Sequence, residues 1–147
     1  MALEQWRVRS GRKPLVVLGA RQVGKSYALE KFGRRSFSAS HIINFEQNPL
    51  FGDVFKGALD PVRILQELAL VQGRPIDVSA DLLFFDEIQE CPRALTSLKY
   101  FAEQMPGLAI CAAGSLLGVH LGDVSYPVGK VEELKMAPMT FEEFLLA

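Results

Sequence analysis

The eight residues Gly19-Ala20-Arg21-Gln22-Val23-Gly24-Lys25-Ser26 restrict what this chain can fold into more than any other stretch. They fit the pattern G-x-x-x-x-G-K-[ST], and the preceding Pro14-Leu15-Val16-Val17-Leu18 reads as a short buried strand. Gly19 and Gly24 let the backbone turn tightly and approach a phosphate with no Cβ in the way. The N–H groups of the loop then face inward as an anion nest, at the start of a helix over Tyr27 to Phe32 whose dipole also favours negative charge. Lys25 supplies a mobile cation for the β- and γ-phosphates of a nucleotide, and the Ser26 hydroxyl can ligate Mg²⁺. The candidate nucleotide-binding residues are therefore Gly19, Ala20, Arg21, Gln22, Val23, Gly24, Lys25, Ser26 and Tyr27. A chance meeting of a glycine-rich turn with a Lys-Ser pair is the competing account. A strand before and a helix after count against it.

A second stretch, Asp81-Leu82-Leu83-Phe84-Phe85-Asp86-Glu87, completes the chemistry. Four apolar residues in a row suit a central strand of a parallel sheet, and the acids fall at its C-terminal end, where open α/β sheets bind ligands. Asp86 is the candidate Mg²⁺ ligand, direct or through a water, with Ser26. Glu87 is the candidate catalytic group that polarises the water attacking the γ-phosphate. A strand followed by a solvated acidic turn is common taken alone, but not after a complete phosphate loop.

Composition sets the limits around these motifs. At 147 residues the chain suggests one domain with length enough for a core. A net charge of −1 gives no overall basic field to recruit nucleic acid, although a local patch remains open. No apolar run approaches the ~20 residues needed to span a bilayer. The start, Met1-Ala2-Leu3-Glu4-Gln5-Trp6, lacks an export signal, so a cytoplasmic protein without a membrane partner is expected. Cys91 and Cys111 have neither metal-ligand nor disulfide-scaffold spacing and read as reduced, partly buried thiols. His41 and His120 lack metal-type partners nearby in sequence.

The rest of the chain supplies the scaffold. Leu3 to Arg9 reads as an amphipathic helix anchored by Trp6, followed by a basic cluster of Arg7, Arg9, Arg12 and Lys13. That cluster is either a solvated approach to the first strand or a neighbour of the nucleotide. His41 to Phe45 is a strand whose apolar run suggests burial on both faces. Leu50 to Leu59 reads as a short helix, and Asp60-Pro61 as the cap of a helix over Val62 to Gln72 that Gly73 stops. Arg93 to Gln104 is a further helix. Leu108 to Ala113 is a strand followed by Ser115, which could reach the γ-phosphate or attacking water and could also cap a helix over Leu116 to Leu121; the two roles are compatible and spacing favours neither. Lys130 to Met136 alternates like a last strand, and Thr140 with Glu143 makes a capping box. The apolar end Phe144-Leu145-Leu146-Ala147 suggests a truncated piece of a longer protein.

Strand–helix units repeat throughout, so the expected fold is α/β. It is a three-layer P-loop NTPase arrangement with a parallel sheet of about five strands flanked by helices. The strand ending near Ser115 matches the ATPase division of such proteins, in which a sensor strand lies between the phosphate-loop strand and the acidic one. No Asn-Lys-x-Asp tetrapeptide is present, which favours adenine over guanine.

With those residues in place, the chain resembles a prokaryotic group of AAA-type ATPases over most of its length. The carrying stretches are 12–26, 43–46, 85–92, 98–101, 113–115 and 138–144, among them Phe85-Asp86-Glu87-Ile88-Gln89-Glu90-Cys91-Pro92 and Ala113-Gly114-Ser115. The resemblance implies ATP and Mg²⁺ as cofactors, Asp86 and Glu87 as the metal and hydrolysis acids, Lys25 at the phosphates and Ser115 as the sensor residue. It also implies that 1–147 is an ATPase core lacking its lid and a C-terminal nuclease-like domain. Members often have an arginine where this chain has Lys130, between Gly129 and Val131; Lys130 cannot fork onto a phosphate. Arg93 and Arg21 remain candidate fingers, as does a residue of a neighbouring subunit or of the missing region. The leading function is ATP hydrolysis coupled to the absent domain. The alternative is a nucleotide-gated protein- or DNA-binding module in which hydrolysis is incidental. Expected partners are ATP and ADP, with self-association and a DNA or protein partner left open.

Overall fold

The computed structural model describes residues 2–19, 24–115, 127 and 129–136. Five strands, β1 (Leu15–Gly19), β2 (Ser40–Asn44), β3 (Leu82–Asp86), β4 (Ala109–Ser115) and β5 (Glu132–Met136), form one sheet in the order β2-β3-β4-β1-β5. Every neighbouring pair is parallel. Helices α1 (Ala2–Val8), α2 (Lys25–Ser36), α3 (Pro49–Asp53), α4 (Pro61–Gln72) and α5 (Pro92–Gln104) cover it. This is the α/β architecture that the alternation of strands and helices predicts, with β4 lying between β1 and β3.

Strand pleating divides the core in two. On one face Val16, Leu18, Leu83, Phe85, Ile110 and Ala112 meet buried residues of α3, α4 and α5. On the other, Leu15, Val17, Leu82, Phe84, Ala109 and Cys111 meet Leu3 and Trp6 of α1 with Ala28, Leu29 and Phe32 of α2. Phe45, Phe55 and Phe85 pack edge to face with centroids 5.5–5.6 Å apart, filling the space beside the small residues of β4. Both cysteines are free and buried, and burial pushes both thiols up from their ordinary range.

Several expectations change. β2 is an edge strand, so its burial alternates: His41 and Ile43 are enclosed while Ile42 is 39% exposed. The helix expected over 50–59 stops at Asp53. Beyond it, guanidinium groups take the carbonyls that a helix would have used. Arg63 donates to Val54 O (2.9 Å) and to Ala58 O, and Arg93 to Phe55 O (2.5 Å) and Gly57 O (2.7 Å). Asp60 occupies the N-cap position of α4 with Pro61 behind it, but its side chain makes no capping bond. Gly73 ends that helix in the left-handed region at φ 78°.

The basic cluster is structural. It lies at the N-terminal edge of the sheet, opposite the end at which β1 leads into α2. Arg9 pairs with Glu132, Arg7 with Glu4 at 2.8 Å, and Glu132 also accepts from the Lys13 backbone. Arg12 lies 5.5 Å over Trp6 and donates to Arg7 O and Gly107 O. Burial lowers its pKa from the usual arginine range. The helices expected over 116–121 and from Thr140 onward, and His120, lie outside the described residues.

Candidate active site

The C-terminal edge of a parallel sheet collects the ends of its strands, and here those ends are Gly19 of β1, Asn44 of β2, Asp86 of β3 and Ser115 of β4. Gly19 stands in register beside Ser115, and Asn44 beside Asp86. After β1, the chain enters α2 through Gly24 at φ 89°, a left-handed geometry that glycine adopts without steric cost. The first turn of α2 places Lys25, Ser26 and Tyr27 at the same edge. Lys25 Nζ donates to Gly19 O at 3.2 Å, so the ammonium lies back over the start of the loop. Tyr27 is about half exposed. Ala20, Arg21, Gln22 and Val23 lie outside the described residues.

The Ser26 hydroxyl donates to Asp86 Oδ1 at 2.9 Å. This contact joins two motifs sixty residues apart in the chain. The Glu87 backbone N–H donates to the same oxygen at 2.9 Å, and Asn44 Nδ2 lies 3.4 Å from Asp86 Oδ2. Asp86 is only 5% exposed. Its burial raises the pKa from the ordinary aspartate range. The Ser26 and Glu87 N–H donors work against that rise, and the nearby carboxylates of Glu87 and Glu30 add to it.

Glu87 leaves the strand with φ 54° and ψ 49°, the left-handed region. A non-glycine residue there costs about 1–3 kcal/mol and persists only where the surroundings fix it. The cause is local: β3 must end and the 3₁₀ turn Ile88–Glu90 begin at once, with Ile88 fully buried in the core. The half-buried Glu87 side chain accepts from Gln89 Nε2 at 2.6 Å.

Asn44 and Gln89 lie within stretches 43–46 and 85–92 that carry the resemblance, but neither was given a role of its own there. The signal for Asn44 was a polar residue closing an apolar strand of a parallel sheet. For Gln89 it was an amide two residues after an acidic pair. The candidate fingers fare differently. Arg93 is engaged by the carbonyls of residues 55 and 57, and Arg21 lies outside the described residues. Lys130 sits before β5, about 20 Å from its Met136 end at ~3.3 Å per strand residue, and reaches Glu103 at 3.4 Å. Within one chain it belongs to the wrong edge of the sheet.

Serine hydroxyl and carboxylate oxygens are the hard ligands that Mg²⁺ prefers. Among the described residues no three His, Cys, Asp or Glu side chains cluster as a metal site. A Ser–Asp pair nevertheless suffices for an ion whose other ligands are phosphate and water. No helix among the described residues is long and apolar enough to cross a membrane.

Among solved structures, the Walker-type ATPase PABY2304 of Pyrococcus abyssi is similar with a TM-score of 0.55 and 19% identity, over 93% of this chain and 51% of that one. The chain thus spans about half the length of that relative. PCH-2 of C. elegans is similar at a TM-score of 0.42 and 14% identity, over 89% of this chain and 37% of that one, a likeness too loose to compare folds. No curated protein sequence matches significantly. The Pyrococcus likeness shows the fold, a P-loop NTPase sheet with its flanking helices. Residues 11–145 match the AAA domain family, from before the phosphate-loop strand to near the end of the chain. The chain belongs to the AAA domain family.

Proposed function

We propose that the chain binds Mg²⁺·ATP at the C-terminal edge of its sheet and hydrolyses the terminal phosphoanhydride. The observation that carries this reading is the Ser26 Oγ–Asp86 Oδ1 hydrogen bond of 2.9 Å, which brings the phosphate-loop helix and the acidic strand to one point. In this reading the start of α2 receives the phosphates, with N–H groups and helix dipole directed at them. Lys25 leaves Gly19 O to pair with the β- and γ-oxygens. Ser26 and Asp86 would hold Mg²⁺, which would supply neutralisation of the negative charge on the phosphates. Glu87 takes the proton of the attacking water, and Ser115, beside Gly19, contacts the γ-phosphate or that water. No covalent intermediate is needed. The family resemblance further suggests that turnover drives a domain C-terminal to this core. Self-association and a DNA or protein partner rest on that resemblance alone.

The test is calorimetric titration with ATP and with GTP, with and without Mg²⁺, on the unaltered chain and on Lys25→Ala. ATP should bind in a Mg²⁺-dependent manner, at least tenfold more weakly in the variant, and GTP more weakly than ATP. Equal binding by the variant would remove the phosphate-site assignment. Glu87→Gln should retain ATP binding and lose turnover by about a hundredfold or more.

A further inference from the structure

Two unfavourable features meet at one contact. Glu87 holds a left-handed backbone conformation that glutamate seldom adopts. Gln89, two residues on, donates from Nε2 to Glu87 Oε2 at 2.6 Å, while its own Oε1 is buried without a hydrogen-bond partner among the described residues. Turning the amide over would set oxygen against carboxylate oxygen, so the Glu87 contact fixes its orientation and the unpaired oxygen follows from it. Folded proteins seldom leave a buried carbonyl unpaired, and strained backbone collects where a side chain must be aimed. The turn that presents the amide is rigid. Ile88 is locked in the core, Glu90 N donates to Glu87 O, and Cys91 N donates to Ile88 O, both at 3.0 Å.

We infer that Gln89 is a positioning residue for Glu87: its amide engages Oε2 and thereby presents Oε1 of the carboxylate to the attacking water. The inference rests on the proposed hydrolytic role of Glu87 and adds the group that aims it. A neutral donor is suited to the task. A lysine would form an ion pair with the base, a glutamate would repel it, and an apolar side chain would leave the carboxylate free to rotate. Since water attack depends on near-attack geometry, loss of the aim affects the chemical step and not nucleotide binding.

A double-mutant cycle with Gln89→Met and Glu87→Gln tests this, read as kcat, KM for Mg²⁺·ATP, ATP affinity and melting temperature. Gln89→Met should lower kcat about tenfold or more while KM and affinity stay within about twofold. In the Glu87→Gln background the same substitution should cause no further loss, because Gln89 acts only through that carboxylate. Retained kcat in Gln89→Met, or an equal fall in both backgrounds with weakened ATP binding, would overturn the inference. Full turnover by Glu87→Gln alone, or none by the unaltered chain, would overturn the hydrolytic reading beneath it.

Discussion

Asp86 is held in a position that an unliganded protein would be better without. A carboxylate that is 5% exposed, with a hydroxyl and a backbone N–H for partners, keeps a pKa raised chiefly by burial. The folded chain therefore binds a proton at Asp86 more readily than the unfolded chain does. Stability from this group is greatest below the ordinary aspartate pKa and declines as pH rises through the raised value. Asp86→Asn keeps the shape and the acceptor for Ser26 while removing the charge, and gives up only the long 3.4 Å contact from Asn44 Nδ2 to Oδ2. Without nucleotide it should melt higher than the unaltered chain at pH 8, by about 2–4 °C for a gain near 1 kcal/mol, with a smaller difference at pH 5. A variant that melts lower at pH 8 would mean that the charge is better compensated than its burial implies. At this scale much of the site was legible: Lys25, Ser26, Asp86 and Glu87 stood out because phosphate chemistry needs those types in that order. Asn44 and Gln89 fell inside stretches that carry the resemblance, but their roles were not readable there. Their part is set by register and by a 3₁₀ turn, and neither leaves a spacing rule in the sequence.

Between elements, α2 must lie close to the β2–β3 side of the sheet for Ser26 to reach Asp86, and Gly33 permits the approach. A Cβ at position 33 would lie 2.9 Å from Ser40 Cβ and 3.1 Å from Leu82 Cδ2, closer than carbon atoms pack. Ser40 Cβ is fixed to the backbone of β2 and cannot swing away. Gly33→Ala should therefore destabilise the chain by about 1–3 kcal/mol, although alanine favours helix by about 1 kcal/mol over glycine in an open position. Urea unfolding reads the outcome; a midpoint equal to or above that of the unaltered chain would show that the helix shifts freely. Element type and order were largely legible, because runs such as Leu15–Leu18 and Leu82–Phe85 are too apolar for an exposed strand. Two of the misses have one source. Exposure of Ile42 depends on β2 being an edge strand, and the early end of α3 depends on Arg63 and Arg93, which arrive from later helices.

Across the whole molecule the two edges of the sheet do different work. The C-terminal edge collects Gly19, Asn44, Asp86 and Ser115, while the opposite edge is closed by Trp6 of α1 and by Arg9 and Arg12, which follow that helix. Trp6 anchors that closure: it is 2% exposed, donates to Lys13 O at 2.7 Å and packs against Phe32 at 6.4 Å between ring centroids. Trp6→Ala should cost about 3–5 kcal/mol of stability yet leave the ATP affinity of folded molecules within about twofold. A large loss of affinity in the folded variant would show that the edges are coupled through β1 and α2. The strand order has one more consequence, for the order of events during synthesis. Leu15 pairs with Cys111 on one side and Glu132 on the other, so β1 leaves the ribosome first and acquires its partners last. Until β4 and β5 emerge, Leu15-Val16-Val17-Leu18 is an unpaired apolar edge, the kind of segment that makes nascent chains prone to aggregate and parallel sheets slow to fold. The proposed nucleotide site begins where that strand ends, so on this reading nucleotide cannot help the young chain before β1 has its partners.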